Sequence, residues 1–127
     1  MAKILIIDDK PDVRQLFGEG LASLGYTVIM TGEAERVPEV IRSENPDLVL
    51  VDPYFKREPR LDLLREIHRE NARVPILIVT SCESCRKDPR LSFAADLLIK
   101  GFYFDDLTRK VAELLEAKPT VPYSASA

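Results

Sequence analysis

Ile4-Leu5-Ile6-Ile7-Asp8-Asp9-Lys10-Pro11 is the stretch that decides how this chain is read. A run of apolar residues this short has strand length, and a strand this apolar is covered on both faces. Pro11 opens a helix, because its fixed φ and missing N–H suit the first helical turn. Asp8 and Asp9 therefore stand at the carboxyl end of a strand, on a strand-to-helix turn. That edge is where ligands bind in open α/β sheets. Adjacent carboxylates repel one another until a cation neutralises them, so the pair reads as one side of a hard-metal site.

The same pattern recurs along the chain. Apolar runs at Ile4–Ile7, Thr27–Met30, Leu48–Val51, Ile76–Val79 and Leu97–Ile99 alternate with helical patterns. Val13, Leu16, Phe17, Leu21 and Leu24 carry the first helical stripe. Val37, Val40 and Ile41 form the apolar face of a second helix that must start near Pro38. Leu61, Leu64 and Ile67 mark the third, and Leu107, Val111 and Leu114 the last. A fourth, shorter helix is predicted with Asp88 as N-cap and Pro89 at its first position. This β/α alternation predicts an α/β fold, a doubly wound five-stranded parallel sheet with helices on both faces and right-handed crossovers.

Length and composition agree with that reading. The 127 residues suit one domain, 46% apolar and 31% charged, with a net charge of −3. No basic patch points to direct nucleic-acid binding. No apolar run is long enough for membrane insertion, and no signal pattern precedes the first strand. Two cysteines make no disulfide framework, so a cytoplasmic protein is expected. Residues 118–127 lack periodicity and read as a flexible tail or the start of a linker.

Further polar residues close the other strands. Asp52 follows Leu48–Val51, Thr80 follows Ile76–Val79, and Lys100 follows Leu97–Ile99. All strand carboxyl ends share one edge of a parallel sheet, so Asp8, Asp9, Asp52, Thr80 and Lys100 should converge. Carboxylates suit Mg²⁺. A hydroxyl and an ammonium can hold phosphoryl oxygens, and a carboxylate in such a site can become an aspartyl-phosphate.

Taken in order, ILIIDDKPDVRQLF (4–17), PDLVLVD (46–52), PILIVTS (75–81) and ADLLIKGF (95–102) resemble the receiver domain of bacterial two-component response regulators. The resemblance spans roughly residues 3–117, so a receiver domain over 1–117 is expected. It implies the flavodoxin-like strand order 2-1-3-4-5. It makes Asp52 the phosphoacceptor, taking its phosphoryl group from a sensor histidine kinase or phosphotransfer protein. Asp8, Asp9 and Asp52 would hold Mg²⁺ with the backbone carbonyl of Tyr54. Thr80 and Lys100 would bind the phosphoryl oxygens. The protein would be a signalling switch, not a turnover enzyme, at most phosphorylating itself and slowly dephosphorylating. Its readout would be a downstream output protein or domain, or a homodimer through the last two strand-helix units.

Several positions depart from the family pattern. Lys10 puts a positive charge beside the metal site, although its side chain can also swing into solvent. Pro53 follows the phosphoacceptor and removes only its own N–H, leaving that of Tyr54. Arg60 stands where the family has glycine, so the Phe55–Arg60 loop should take another path. Gly101 replaces a proline that follows a cis bond, so a trans bond is expected. Leu97 replaces the switch aromatic, and the spacing from Thr80 to Lys100 is short enough for a stunted fourth helix. These changes leave a second reading, a phosphorylation-independent binding or dimerisation module with an altered output face.

Cys82-Glu83-Ser84-Cys85 lacks the further ligands of a metal site and reads as loop cysteines, with a redox-responsive pair as the alternative. His68 lies on a charged helix face. Phe102, Tyr103 and Phe104 read as core and staple residues of the last helix, ahead of a binding surface.

Overall fold

In the computed structural model, described for residues 1–56, 58–101 and 103–117, the apolar runs become parallel strands of one sheet. These are β1 (Lys3–Ile7), β2 (Thr27–Thr31), β3 (Leu48–Val51), β6 (Ile76–Thr80) and β7 (Asp96–Ile99). Two further short strands, β4 (Tyr54–Phe55) and β5 (Glu58–Pro59), form a separate antiparallel pair. The main sheet runs β2-β1-β3-β6-β7, which is the expected 2-1-3-4-5 order. Register aligns the carboxyl ends: Ile7 pairs with Thr31 and with Val51, Val51 with Ile78, and Thr80 with Ile99.

Alternation along each strand divides the core into two layers. Leu5, Ile7, Val49, Val51, Ile76 and Ile78 face α2 (Val37–Glu44) and α3 (Asp62–Glu70), which contribute Val37, Ile41, Leu63, Leu64 and Ile67. Ile4, Ile6, Leu48, Leu50, Leu77 and Val79 face α1 (Pro11–Ala22) and α4 (Phe104–Glu116), which contribute Phe17, Leu21, Leu107 and Val111. Each fully buried branched side chain is worth about 1.5–3 kcal/mol. This burial, not helix propensity, holds helices as short as α2. At Gly20 the ring of Phe104 occupies the space a Cβ would need, so glycine here lets α4 seat against α1.

The helix starts follow the prolines. Pro11 is the first residue of α1, and Pro38 sits in the first turn of α2 after a 3₁₀ turn at Ala34–Arg36. Four expectations need correction. Between β6 and β7 no α-helix forms among the described residues; two 3₁₀ turns, Glu83–Lys87 and Pro89–Leu91, stand in its place. Asp88 does cap, accepting from the Arg90 N–H at 2.9 Å, but only the second of these turns. Asp88, held extended before Pro89 with φ of −84° and ψ of 115°, divides the connection, and its charged and turn-forming residues leave no continuous apolar stripe. Leu16 and Leu24, counted on the α1 stripe, are exposed: Phe17 and Leu21, with half-buried Val13, meet the core, and Leu24 lies beyond the end of the helix. Tyr103 is 84% exposed and no core residue; Phe104 is half-buried and packs inward. His68 is exposed on α3 as expected, with its ring against Phe93 at 4.7 Å. Arg57, Phe102 and the expected tail at 118–127 lie outside the described residues.

The Phe55–Arg60 loop takes its other path as the β4–β5 pair. Among the described residues of this loop the left-handed one is Lys56, with φ of 51°, and not Arg60. Gly101 has φ of 108°, and no cis bond occurs among the described residues. That φ is one glycine adopts freely and other residues resist.

Candidate functional site

The aligned strand ends carry Asp8 from β1, Asp52 from β3 and Thr80 from β6 into one cleft, all three nearly inaccessible at 3%, 4% and 1%. Backbone bonds continue the sheet by one step: Asp8 N–H donates to Thr31 at 3.2 Å, Asp52 N–H to Ile7 at 3.0 Å, and Lys100 N–H to Thr80 at 2.7 Å. Each polar side chain is therefore fixed by the ladder that precedes it.

Lys100 reaches across from β7. Its Nζ donates to Asp8 Oδ2 at 3.1 Å and to Asp52 Oδ2 at 2.9 Å, joining residues far apart in sequence. The second oxygens of both carboxylates are held by backbone: Lys10 N–H donates to Asp8 Oδ1 at 2.9 Å and Tyr54 N–H to Asp52 Oδ1 at 3.0 Å. Pro53 thus spares the amide that matters. Asp9 accepts from the Lys56 N–H at 2.6 Å. Burial pushes the Asp9 carboxyl up, but this amide and the Lys10 ammonium outweigh it and hold the group below the usual carboxylate range. Thr80 Oγ1 accepts from Cys82 N–H at 3.3 Å and keeps its own O–H as a donor.

Lys10 points its ammonium at the carboxylates while its side chain stays half-exposed. Its Nζ lies 3.3 Å from Asp9, 3.6 Å from Asp8 and 3.8 Å from Asp52. Desolvation opposes its charge, yet Asp8, Asp52 and Asp9 together raise its pKa above the ordinary lysine value. Three carboxylates thus face two ammonium groups. Three carboxylates at strand ends are the donor chemistry of Mg²⁺, so the residues fit a hard divalent cation. As arranged, their oxygens are spread over Lys10 and Lys100, and among the described residues no group of three His, Cys, Asp or Glu side chains is gathered on one point. A cation held by these carboxylates would compete with the Lys10 ammonium for them.

Two contributors escaped the sequence reading. Arg14, one turn into α1, donates from Nη1 to the Asp8 carbonyl at 2.6 Å, and its guanidinium fills the space beside Gly32. Its spacing from Pro11 puts it on the face toward the cleft, the one signal that marked it. The other is the side chain of Tyr54. Its hydroxyl lies 3.1 Å from Cys85 Sγ and 3.3 Å from Cys82 Sγ, so the loop cysteines adjoin the site. Hydrogen bonds from Cys85, Ser84 and Tyr54 bring the Cys82 thiol down to about 7, whereas burial pushes Cys85 up to about 11. The Tyr54 hydroxyl, bonded to both sulfurs, is raised above its usual range.

Comparison with known proteins bears on the fold and the family. The family model described as the response regulator receiver domain matches residues 4–112. A probable transcriptional regulator of Pyropia yezoensis, ycf27, is 30% identical over 115 residues, covering 89% of this chain and 47% of its own. Response regulator MprA of Mycobacterium ulcerans is also 30% identical, over 89% of this chain and 50% of its own. The chain therefore spans about half the length of these curated relatives. Among solved structures, response regulator protein TrrA of Thermotoga maritima, in complex with Mg(2+)-BeF, superposes with a TM-score of 0.83 at 31% identity, covering 90% of this chain and 99% of its own. The same protein in complex with histidine kinase ThkA gives 0.81 at 31% identity, covering 91% and 99%.

Proposed function

The chain belongs to the response regulator receiver domain family, and on that premise we propose that Asp52 accepts a phosphoryl group from a sensor histidine kinase or phosphotransfer protein. The single observation that carries this is the Lys100 ammonium bridging Asp8 and Asp52, which brings a candidate nucleophile, its acidic neighbour and a phosphoryl-binding cation to one point. TrrA, similar over nearly its whole length, was crystallised with Mg(2+)-BeF and with histidine kinase ThkA.

In this reading an Asp52 oxygen forms the new P–O bond while the bond from phosphorus to the donor nitrogen breaks, its electron pair leaving with the imidazole. Tyr54 N–H holds Asp52 Oδ1 in place. Lys100 transfers from the Asp52 carboxylate to a phosphoryl oxygen, and the Thr80 O–H donates to another. Asp8 and Asp9, with Asp52 and the Tyr54 backbone carbonyl, would hold Mg²⁺, which when bound neutralises charge on the transferring group. The domain acts as a switch and not a turnover enzyme, in the cytoplasm with its kinase. No helix among the described residues is long and apolar enough to cross a membrane. The readout is a partner or a second copy of the domain. A dimer through the last two strand-helix units would meet over 3₁₀ turns and α4, since among the described residues no α-helix follows β6 before β7.

The test is intact-protein mass after incubation with a small phosphodonor and Mg²⁺. One added phosphoryl group that is lost in Asp52→Ala supports the proposal; an unchanged mass in the native sequence overturns it. A second reading, a module that binds or dimerises without phosphorylation, is favoured by Lys10 standing among the carboxylates. It expects partner binding or self-association indifferent to Asp52→Ala.

A further inference from the structure

Cys82 and Cys85 do not sit in the loop as unrelated thiols. The turn between them is closed by the Cys85 N–H donating to the Cys82 carbonyl at 3.3 Å. A turn of that kind holds its end Cα atoms within about 7 Å, near the span that a disulfide bridges. Both sulfurs converge on one atom, the Tyr54 hydroxyl, at 3.3 and 3.1 Å. Cys82 also lies 3.3 Å from the Ser84 hydroxyl. The two thiols differ in access, since Cys82 is partly exposed and Cys85 is 3% exposed. Both are free.

From this geometry we propose that Cys82 and Cys85 form a dithiol modification site, closed to an intramolecular disulfide by a hydroperoxide. The accessible Cys82 sulfur attacks the peroxide oxygen, the O–O bond breaks, and Cys82 sulfenic acid and an alcohol or water are formed. Cys85 then attacks the Cys82 sulfur, expelling water and completing the S–S bond. Two thiols lose two electrons and two protons, and the peroxide is the acceptor of both.

The site is wired to the cleft at both ends. Tyr54 lies two residues after Asp52 and its amide holds Asp52 Oδ1. Cys82 lies two residues after Thr80 and its amide holds Thr80 Oγ1. Closing the bridge replaces the thiol hydrogen bonds of the Tyr54 hydroxyl and tightens the turn that follows Thr80. The oxidised domain therefore gains and loses its phosphoryl group at altered rates. This consequence rests on Asp52 being the phosphoacceptor; the disulfide itself does not.

The experiment treats the full chain with hydrogen peroxide, blocks remaining thiols with an alkylating agent, and reads intact mass and peptides. The expected result is a protein two hydrogens lighter that takes no label at either cysteine, restored by a dithiol reductant. Cys85→Ser should instead trap a sulfenic acid at Cys82 that reacts with a cyclic diketone, and Cys82→Ser should take up no diketone. Labelling of both cysteines after treatment, or bridging only between separate chains, overturns the site. Phosphoryl loss is then timed on reduced and oxidised protein. A several-fold difference that vanishes in Cys85→Ser supports the coupling, and identical rates overturn it. Absence of phosphorylation in both redox states refutes the acceptor role of Asp52 and leaves the disulfide result standing.

Discussion

Replacing Lys10 by Met should tighten Mg²⁺ binding. The substitution keeps the aliphatic stem and removes only the ammonium. The Lys10 N–H bond to Asp8 is made by backbone and survives. In the native sequence a divalent cation must first displace an ammonium that lies within 3.3, 3.6 and 3.8 Å of the three carboxylates. The Lys10 side chain is 49% exposed, so these are not full-strength buried pairs. A solvated ion pair contributes about 0.2–1 kcal/mol, and three pairs sharing one half-exposed charge come to about 1–2 kcal/mol. That is a gain in affinity of about five- to thirtyfold for Lys10→Met. Isothermal titration calorimetry with Mg²⁺ measures it directly, and the gap between the two proteins should narrow as salt is raised. Equal affinities, or weaker binding by Lys10→Met, would refute the argument that Lys10 holds the cation's place.

Other perturbations test separate parts of the structure. Gly101→Ala meets no atom within 4 Å, so its effect isolates the φ of 108°. A loss of about 1 kcal/mol or slightly more is expected in denaturant unfolding, and no change would show that the turn adapts. Leu64→Ala, fully buried between the sheet and α3, should cost about 2–5 kcal/mol by the same measurement. Asp9 contributes stability above its unfolded value of 3.8 that is lost as pH falls through its lower folded value. Asp9→Asn should therefore flatten the acid limb of the stability curve below pH ~4, and an unchanged limb would count against the Lys56 and Lys10 contacts. Cys82 should alkylate with a midpoint near pH 7, as its value of about 7 implies, and Tyr54→Phe should move that midpoint upward. An unmoved midpoint would mean the hydroxyl does not stabilise the thiolate.

The sheet was readable because buried parallel strands announce themselves as unbroken apolar runs, and their ends are set by the first polar residue. Asp8, Asp52, Thr80 and Lys100 each terminate such a run, so topology alone brings them together. The orientation of Lys10 was not readable, because a four-carbon stem reaches solvent or cleft equally and only the charge around it decides. The part played by the Tyr54 side chain was hidden for another reason. Its role as a bridge depends on the β4–β5 pair and on a 3₁₀ turn near Thr80, both set by long-range packing. Leu16 and Leu24 satisfy helical periodicity yet face water, since period says which residues share a face and not how wide the covered stripe is.

The turns that replace the helix between β6 and β7 have a thermodynamic consequence. A helix opens as one unit, because each of its bonds leans on those before and after it. Bonds from each residue to the third before it, as in Cys85 to Cys82, Asp88 to Cys85 and Leu91 to Asp88, close separate short loops. Such loops can open one at a time, each at a free energy well below that of global unfolding. Amide exchange across residues 81–95 should accordingly be graded and local, in contrast to the concerted protection of α1 and α4. This edge of the domain can then be reshaped in small steps, without melting any regular element of the fold.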